Sequence, residues 1–194
     1  MTTNDFASTP DHANFIAATR RWLEVAVIGL NLCPFAKAVH HHQQIRYQVS
    51  DAFDVAALRD DLERELLFLS ESDPAITDTT LLIAPRILHD FMDYNDFLRV
   101  ADRLVRKLDL EGTLQVASFH PLYQFAGSDA DDIENCTNRS PYPMLHLLRE
   151  ASIERAVAVF PDAQTIVERN LATLRQLGYA GWQALGMNHR HGPD

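Results

Sequence analysis

The sequence predicts an α/β fold: a small, partly parallel sheet of three or four strands flanked by helices, in a single domain with helical N- and C-terminal parts. Three observations carry this expectation. Ile45–Val49, Thr79–Ala84 and Leu114–Phe119 are short apolar or alternating segments of strand length. The two stretches between them repeat apolar residues at spacings of three and four, the period of a helix with one buried face. Strand–helix–strand–helix–strand order favours parallel pairs joined by right-handed crossovers.

Taken in order, residues 1–12 are polar, include Pro10 and read as a flexible arm. A first helix is expected from about Asn14 to Leu32, where Ile16, Trp22, Leu23, Ala26 and Leu30 fall near helical spacing and Asn14 can cap. Gly29 weakens its last turn, and Pro34 lies outside it, because the residue before a proline is pushed away from helical angles. Val25 to Leu30 as a strand is the alternative. Ile45–Val49 is the first strand. Val55, Leu58, Leu62, Leu66 and Leu69 mark a helix opened by Asp51 or Asp54. Thr79–Ala84 is a buried strand stopped by Pro85. Tyr94, Phe97, Leu98, Ala101, Leu104, Val105 and Leu108 mark the next helix, and Gly112 ends its exit turn.

Leu114–Phe119 is the third strand. A long loop then runs from His120 to about Ser140, where Gly127, Ser128 and Asp129 to Asp132 oppose regular structure. Pro143, Met144, Leu147 and Leu148 predict a new helix that continues, with a break, to Phe160. Thr165 and Glu168 have capping-box spacing ahead of a last helix, and Gly178 sits where a C-cap glycine belongs. A fourth strand would come from Tyr179–Leu185 or from the segment before Cys33. The domain then covers residues 13–187, followed by a flexible tail over 188–194.

Composition narrows the functional classes. The chain has 194 residues, 46% hydrophobic and 23% charged, which suits one domain with a substantial core. A formal net charge of −10 repels phosphate backbones and anionic lipid, so no nucleic-acid or membrane partner is expected. The first twelve residues lack a charged-then-apolar leader pattern, and the longest mainly apolar run, Val25 to Leu32, falls short of the ~20 residues of a membrane span. Two cysteines, Cys33 and Cys136, suit a reducing, cytoplasmic setting. Oligomeric state and cofactors are left open.

Three strings are distinctive: Gly29-Leu30-Asn31-Leu32-Cys33-Pro34-Phe35-Ala36, Gln115-Val116-Ala117-Ser118-Phe119-His120-Pro121, and Thr137-Asn138-Arg139-Ser140-Pro141-Tyr142-Pro143 continuing through His146-Leu147-Leu148-Arg149-Glu150. Together with Thr79 to Pro85 and Asp93 to Leu98, they resemble the uncharacterised bacterial family called domain of unknown function 1415. The resemblance spans most of the chain outside both ends and assigns no catalytic role to any residue.

Two segments are candidates for chemistry. In open α/β sheets ligands bind beyond the carboxyl ends of the strands, and His120 stands at such an end. A helix start at Ser140 would present free backbone N–H groups to an anion, with the Arg139 fork beside it. Asn135, Asn138, Tyr142 and His146 would add hydrogen bonds, and His120 would be the acid–base group, since its ordinary pKa suits proton transfer near neutrality. The competing account is structural: a long loop needs internal hydrogen bonds, and Asn, Arg and Ser provide them. The second candidate is Cys33, before Pro-Phe and upstream of Lys37 and His40 to His42, because nearby cations activate a thiol. Its Cys-Pro-Phe-Ala string resembles the active-site turn of some glutathione transferases; the alternative is a small buried hydrophobe in a turn. No metal-ligand spacing and no glycine-rich phosphate loop occurs. The expectation is a small-molecule enzyme or binder for a phosphate or carboxylate ligand at residues 119–150. The alternatives are a non-catalytic interaction domain, with Tyr123, Phe125 and Tyr142 facing outward, or a thiol-dependent redox or transferase protein using Cys33.

Overall fold

The computed structural model describes residues 10–159 and 163–187. The first helix, α1 (Pro10–Trp22), begins earlier than Asn14, because proline suits a first turn and Asp11 complements the helix dipole there. The expected arm is therefore helical from Pro10 onward; residues 1–9 and the expected tail over 188–194 lie outside the described residues. Leu23–Ile28 continues α1 as a π segment. Its wide turn is visible in the Gly29 N–H donating to Glu24 O at 3.0 Å and the Leu32 N–H donating to Val27 O at 2.9 Å, each five residues back. The wider turn lets Trp22, Leu23, Ala26 and Val27 all be buried.

The chain continues through α2 (Ala36–His41), β1 (Ile45–Val49) and α3 (Val55–Glu71). Of the two expected caps for α3, Asp54 serves, accepting the Ala57 N–H at 2.8 Å. β2 (Thr79–Ile83) leads to α4 (Phe91–Lys107), capped by Asp90, and β3 (Leu114–Phe119) follows the positive-φ turn at Gly112. After a 3₁₀ turn at Ile133–Thr137 come β4 (Met144–Arg149), α5 (Glu150–Val159) and α6 (Ala163–Ala184).

The sheet has four strands in the order β1-β2-β4-β3. β1 and β2 are parallel, while β4 pairs antiparallel with both β2 and β3. The helix expected from Pro143 to Phe160 is therefore a strand up to Arg149 and a helix, α5, only from Glu150, and the fourth strand comes from neither of the two expected segments. Tyr179 to Ala184 is helical, and the stretch before Cys33 holds the π segment. The cause is burial on both sides: Met144, Leu145 and Leu147 are at most 1% exposed, so β4 lacks the alternation that marks a half-exposed strand. Thr165 lies inside α6 rather than at its cap. Gly178 takes φ 64°, as a terminating glycine does, but the helix resumes beyond it.

Helices cover both faces. On one, α3 and α4 bring Leu58, Leu62, Leu66, Leu69, Phe97 and Leu104 against Leu82, Leu114, Leu145 and Leu147. On the other, Trp22, Leu23, Ala26, Leu174 and Trp182 from α1, the π segment and α6 pack on Val49, Ile83 and Met144. Two buried polar groups lock β4 in place. The Tyr94 hydroxyl donates to Met144 O at 2.7 Å and accepts the Phe119 N–H at 3.0 Å, joining α4 to the paired ends of β3 and β4. The Arg149 guanidinium donates to the carbonyls of Leu69, Ser72 and Thr77 at 2.6, 2.7 and 3.1 Å, closing the carboxyl end of α3. Tyr94→Phe keeps the ring packing and strands both backbone groups, so it should cost about 1–3 kcal/mol in urea unfolding. An unchanged midpoint would show that the bridge contributes nothing.

Candidate functional site

The carboxyl edge of β3 gathers several of the expected site residues. The His120 N–H donates to Asn138 O at 3.2 Å, and the Ser140 N–H donates to His120 O at 3.4 Å. His120 is fully buried, with both ring nitrogens engaged: Nδ1 accepts the Leu122 N–H at 3.0 Å, so Nε2 carries the proton that bonds Leu88 O at 2.9 Å. Burial pushes this imidazole down to about 4, against the smaller opposing effect of its bond to Leu88. Asn135 is fully buried, accepts from the Phe125 N–H and the Ser128 hydroxyl, and donates to Asp129 O. Asn138 donates to Ser118 O at 3.0 Å, and the Ser140 hydroxyl donates to Tyr142 O at 2.7 Å.

Arg139 is 8% exposed and forms no salt bridge with a carboxylate among the described residues. It donates to Tyr123 O at 3.2 Å, Ala130 O at 2.6 Å and the Tyr179 hydroxyl at 3.1 Å. The loop carboxylates are used elsewhere: Glu134 pairs with Arg175, and Asp132 accepts the Asp129 N–H. Because Ser140 precedes a strand, no helix N-terminus stands beside Arg139. Tyr142 packs edge-on against Phe15 with centroids 5.0 Å apart, and Tyr123 lies between Phe91 and Phe125. Of the three aromatics expected to face outward, only Phe125 is exposed.

His146 lies two residues inside β4, paired with Leu81 and Ala117. The Thr79 hydroxyl spends its proton on Leu147 O at 2.6 Å, so the 2.7 Å contact with His146 has Nε2–H donating. Burial lowers this imidazole to about 4 as well. Cys33 sits in the turn between the π segment and α2, packed against the apolar cluster around Trp22. Cys136 is 1% exposed, and burial pushes its thiol up to about 11, with Arg139 opposing. Neither cysteine forms a disulfide with the other or with any described residue. Among the described residues no group of three or more His, Cys, Asp or Glu is placed to hold a metal ion, and no helix is long and apolar enough to cross a membrane.

A different region forms the larger concavity. A cleft of about 770 Å³ opens between α1 with its π segment, α2, and the first residues of β1. Arg20, Glu24 and Ile28 reach it at intervals of four, one helix face. Lys37, His40 and His41 reach it from α2, and Ile45 and Tyr47 from alternate positions of β1. The Arg20 guanidinium lies 4.7 Å from the centre of the Tyr47 ring, a cation–π distance. Glu24 stands 3.4 Å from His40 Nε2. The Tyr47 hydroxyl is buried without a hydrogen-bond partner among the described residues, and burial pushes it up to about 12, with Arg20 opposing. Among the described residues two fixed cations and two imidazoles thus face one carboxylate, in a chain of net charge −10. A second, smaller hollow of about 130 Å³ lies between Trp22, Trp182 and Arg139. The sequence singles out Lys37 and His40 to His42 as neighbours of Cys33, the three histidines also as metal-ligand types, and does not mark Arg20, Glu24 or Tyr47 individually. The available signal was the joint spacing 20/24/28 and 37/40/41, followed by 45/47 on one strand face.

The sequence model of the family described as "Protein of unknown function (DUF1415)" matches residues 14–184. The chain belongs to this family. The DUF1415 match takes in both the cleft and the 119–150 segment. No curated protein and no solved structure matches the chain.

Two outcomes test the reading of this region. Arg139→Lys removes a fork that serves three acceptors, and should lower stability by about 1–3 kcal/mol in urea unfolding; a neutral result would mean the loop does not lean on it. The second concerns pH. His120 and His146 titrate near 6.5 when unfolded and near 4 in the fold. Between those values the unfolded chain binds more protons, so their contribution is complete above about 6.5 and is lost as pH falls toward 4. Each imidazole contributes a slope of about 1.4 kcal/mol per pH unit inside that window. Urea midpoints from about pH 7 to 5 should decline, and less steeply in a His146→Gln variant; a flat profile would show that both rings accept protons in the fold.

Proposed function

We propose that this protein binds a small anionic molecule, and that the site is the cleft between α1, α2 and β1 rather than the 119–150 segment. The observation that carries this reading is the convergence of Arg20, Lys37, His40 and His41 on one concavity of ligand-accommodating size in a net-acidic protein. Elsewhere on such a surface, negative charge repels an anion; here the local field attracts it. The 119–150 segment lacks this character, because its donors already serve the loop's own carbonyls. Arg20 is pre-positioned by Tyr47, which lowers the entropy lost when its planar fork meets a carboxylate or phosphate. Two cysteines that form no disulfide fit a reducing, cytoplasmic setting for this binder.

The test is a titration of the ¹⁵N-labelled protein with pyrophosphate and with citrate. Amide shifts should concentrate in α1, the π segment, α2 and β1. An Arg20→Ala/Lys37→Ala double variant should lose at least about tenfold in affinity, the equivalent of one charged hydrogen bond. Shifts confined to the loop between β3 and β4, or none with either anion, would refute the cleft.

A further inference from the structure

We infer that the cleft takes a phosphate monoester of a small organic molecule, in preference to a carboxylate. This rests on the cleft being the ligand site and asks which anion its chemistry fits.

The charge balance is the first argument. Arg20 and Lys37 carry fixed positive charge, and among the described residues the lining holds one carboxylate, Glu24, 3.4 Å from His40 Nε2. Glu24 offsets one of the two cations, so these residues keep a surplus of one positive charge with both imidazoles neutral and of two when one is protonated, a state that a bound dianion favours. A phosphate monoester carries roughly −1.5 to −2 near neutrality and offers three acceptor oxygens, whereas a single carboxylate carries one charge. The donors also differ in kind. Arg20 offers a planar fork, Lys37 a mobile point charge and His41 a ring N–H, and they come from two different helices. Donors approaching from separate directions suit a tetrahedral group, since a planar carboxylate is satisfied by one fork.

Size and the apolar lining supply the second argument. The volume of about 770 Å³ is many times that of a bare phosphate ion. Ile28, Ile45 and the Tyr47 ring form an apolar wall beside the cations, which a carbon skeleton can cover. The Tyr47 hydroxyl at this wall has no hydrogen-bond partner among the described residues, which leaves it for a polar group on the ester. Arg20 rests against the Tyr47 ring, which places its guanidinium beside the same wall.

Lysine content makes a clean experiment possible. The chain has two lysines, Lys37 in the cleft and Lys107 on α4, where it pairs with Glu63 at 3.7 Å. Pyridoxal 5′-phosphate condenses reversibly with lysine amines to an imine, which cyanoborohydride reduces to a stable secondary amine. Peptide mass mapping then reads each site and the N-terminal amine separately. The probe and its phosphate-free analogue pyridoxal are compared on the intact protein, with inorganic phosphate, citrate or acetate as competitors. The expected result is at least about tenfold faster labelling of Lys37 by pyridoxal phosphate than by pyridoxal, a difference of about 1.4 kcal/mol. Lys107 should show no such preference. Inorganic phosphate should protect Lys37 at lower concentration than acetate, and Arg20→Ala should abolish the preference without changing Lys107. If Lys37 reacts equally with both probes yet citrate protects it, the cleft binds anions and the phosphate assignment is overturned. If Lys37 behaves like Lys107 and no anion protects it, both the assignment and the cleft itself fall.

Discussion

The architecture depends on one vacancy and how it is filled. β2 and β3 run in the same direction, joined over one face of the sheet by α4, but they are not neighbours; a strand's width separates them. β4 enters that gap from the opposite direction and hydrogen-bonds to both sides. Until it arrives, the core on both faces lacks Met144, Leu145 and Leu147, and the Tyr94 hydroxyl has neither of its backbone partners. The last strand in sequence is therefore an inner strand in space, and non-local pairing of this sort forms late and at an entropic cost.

That requirement explains the polar loop ahead of β4. Chain leaving β3 at Phe119 must travel outward and return to Met144, its own register partner. The excursion is long, and its backbone groups need partners away from the sheet. His120, Asn135, Asn138 and Arg139 supply them, and the Trp22 indole N–H, donating to Arg139 O at 2.8 Å, ties the returning chain to α1. Residue types associated with catalysis are serving here as scaffolding. Both nitrogens of the fully buried His120 are bonded to backbone groups of neighbouring loops.

Legibility in the sequence followed burial. β1, α3, β2, α4 and β3 were readable because each shows a period: alternation or a short apolar run for strands, threes and fours for helices. Asp54 and Gly112 were readable from local chemistry alone. β4 was not, because an inner strand covered on both faces has no polar phase, and Pro141 and Pro143 ahead of it look like a helix start as readily as a strand entry. The cleft was hidden for another reason. Its residues are individually ordinary, a helix arginine here and an exposed lysine there, and come together only when α1, α2 and β1 meet. Long polar loops often carry function, and spacing alone does not tell donors facing a ligand from donors facing their own loop.

The π segment has a bearing on how this chain tolerates change. It lies between two anchors: Trp22, whose indole holds Arg139, and Leu32, whose carbonyl accepts from Asn170 of α6 at 2.7 Å. A wide turn accommodates one residue more than a regular helix of the same rise, and each residue of an α-helix turns the chain by about 100°. Removing a single residue between the anchors would let the turn relax to ordinary winding and leave both flanks in phase, whereas adding one finds no such slack and turns one flank around the axis. After such an addition Glu24 and Ile28 would leave the cleft, or Trp22 would leave its carbonyl. Side chains along this stretch are open to exchange within their volumes and one residue can be lost, but a gained residue should be far more damaging than a substitution.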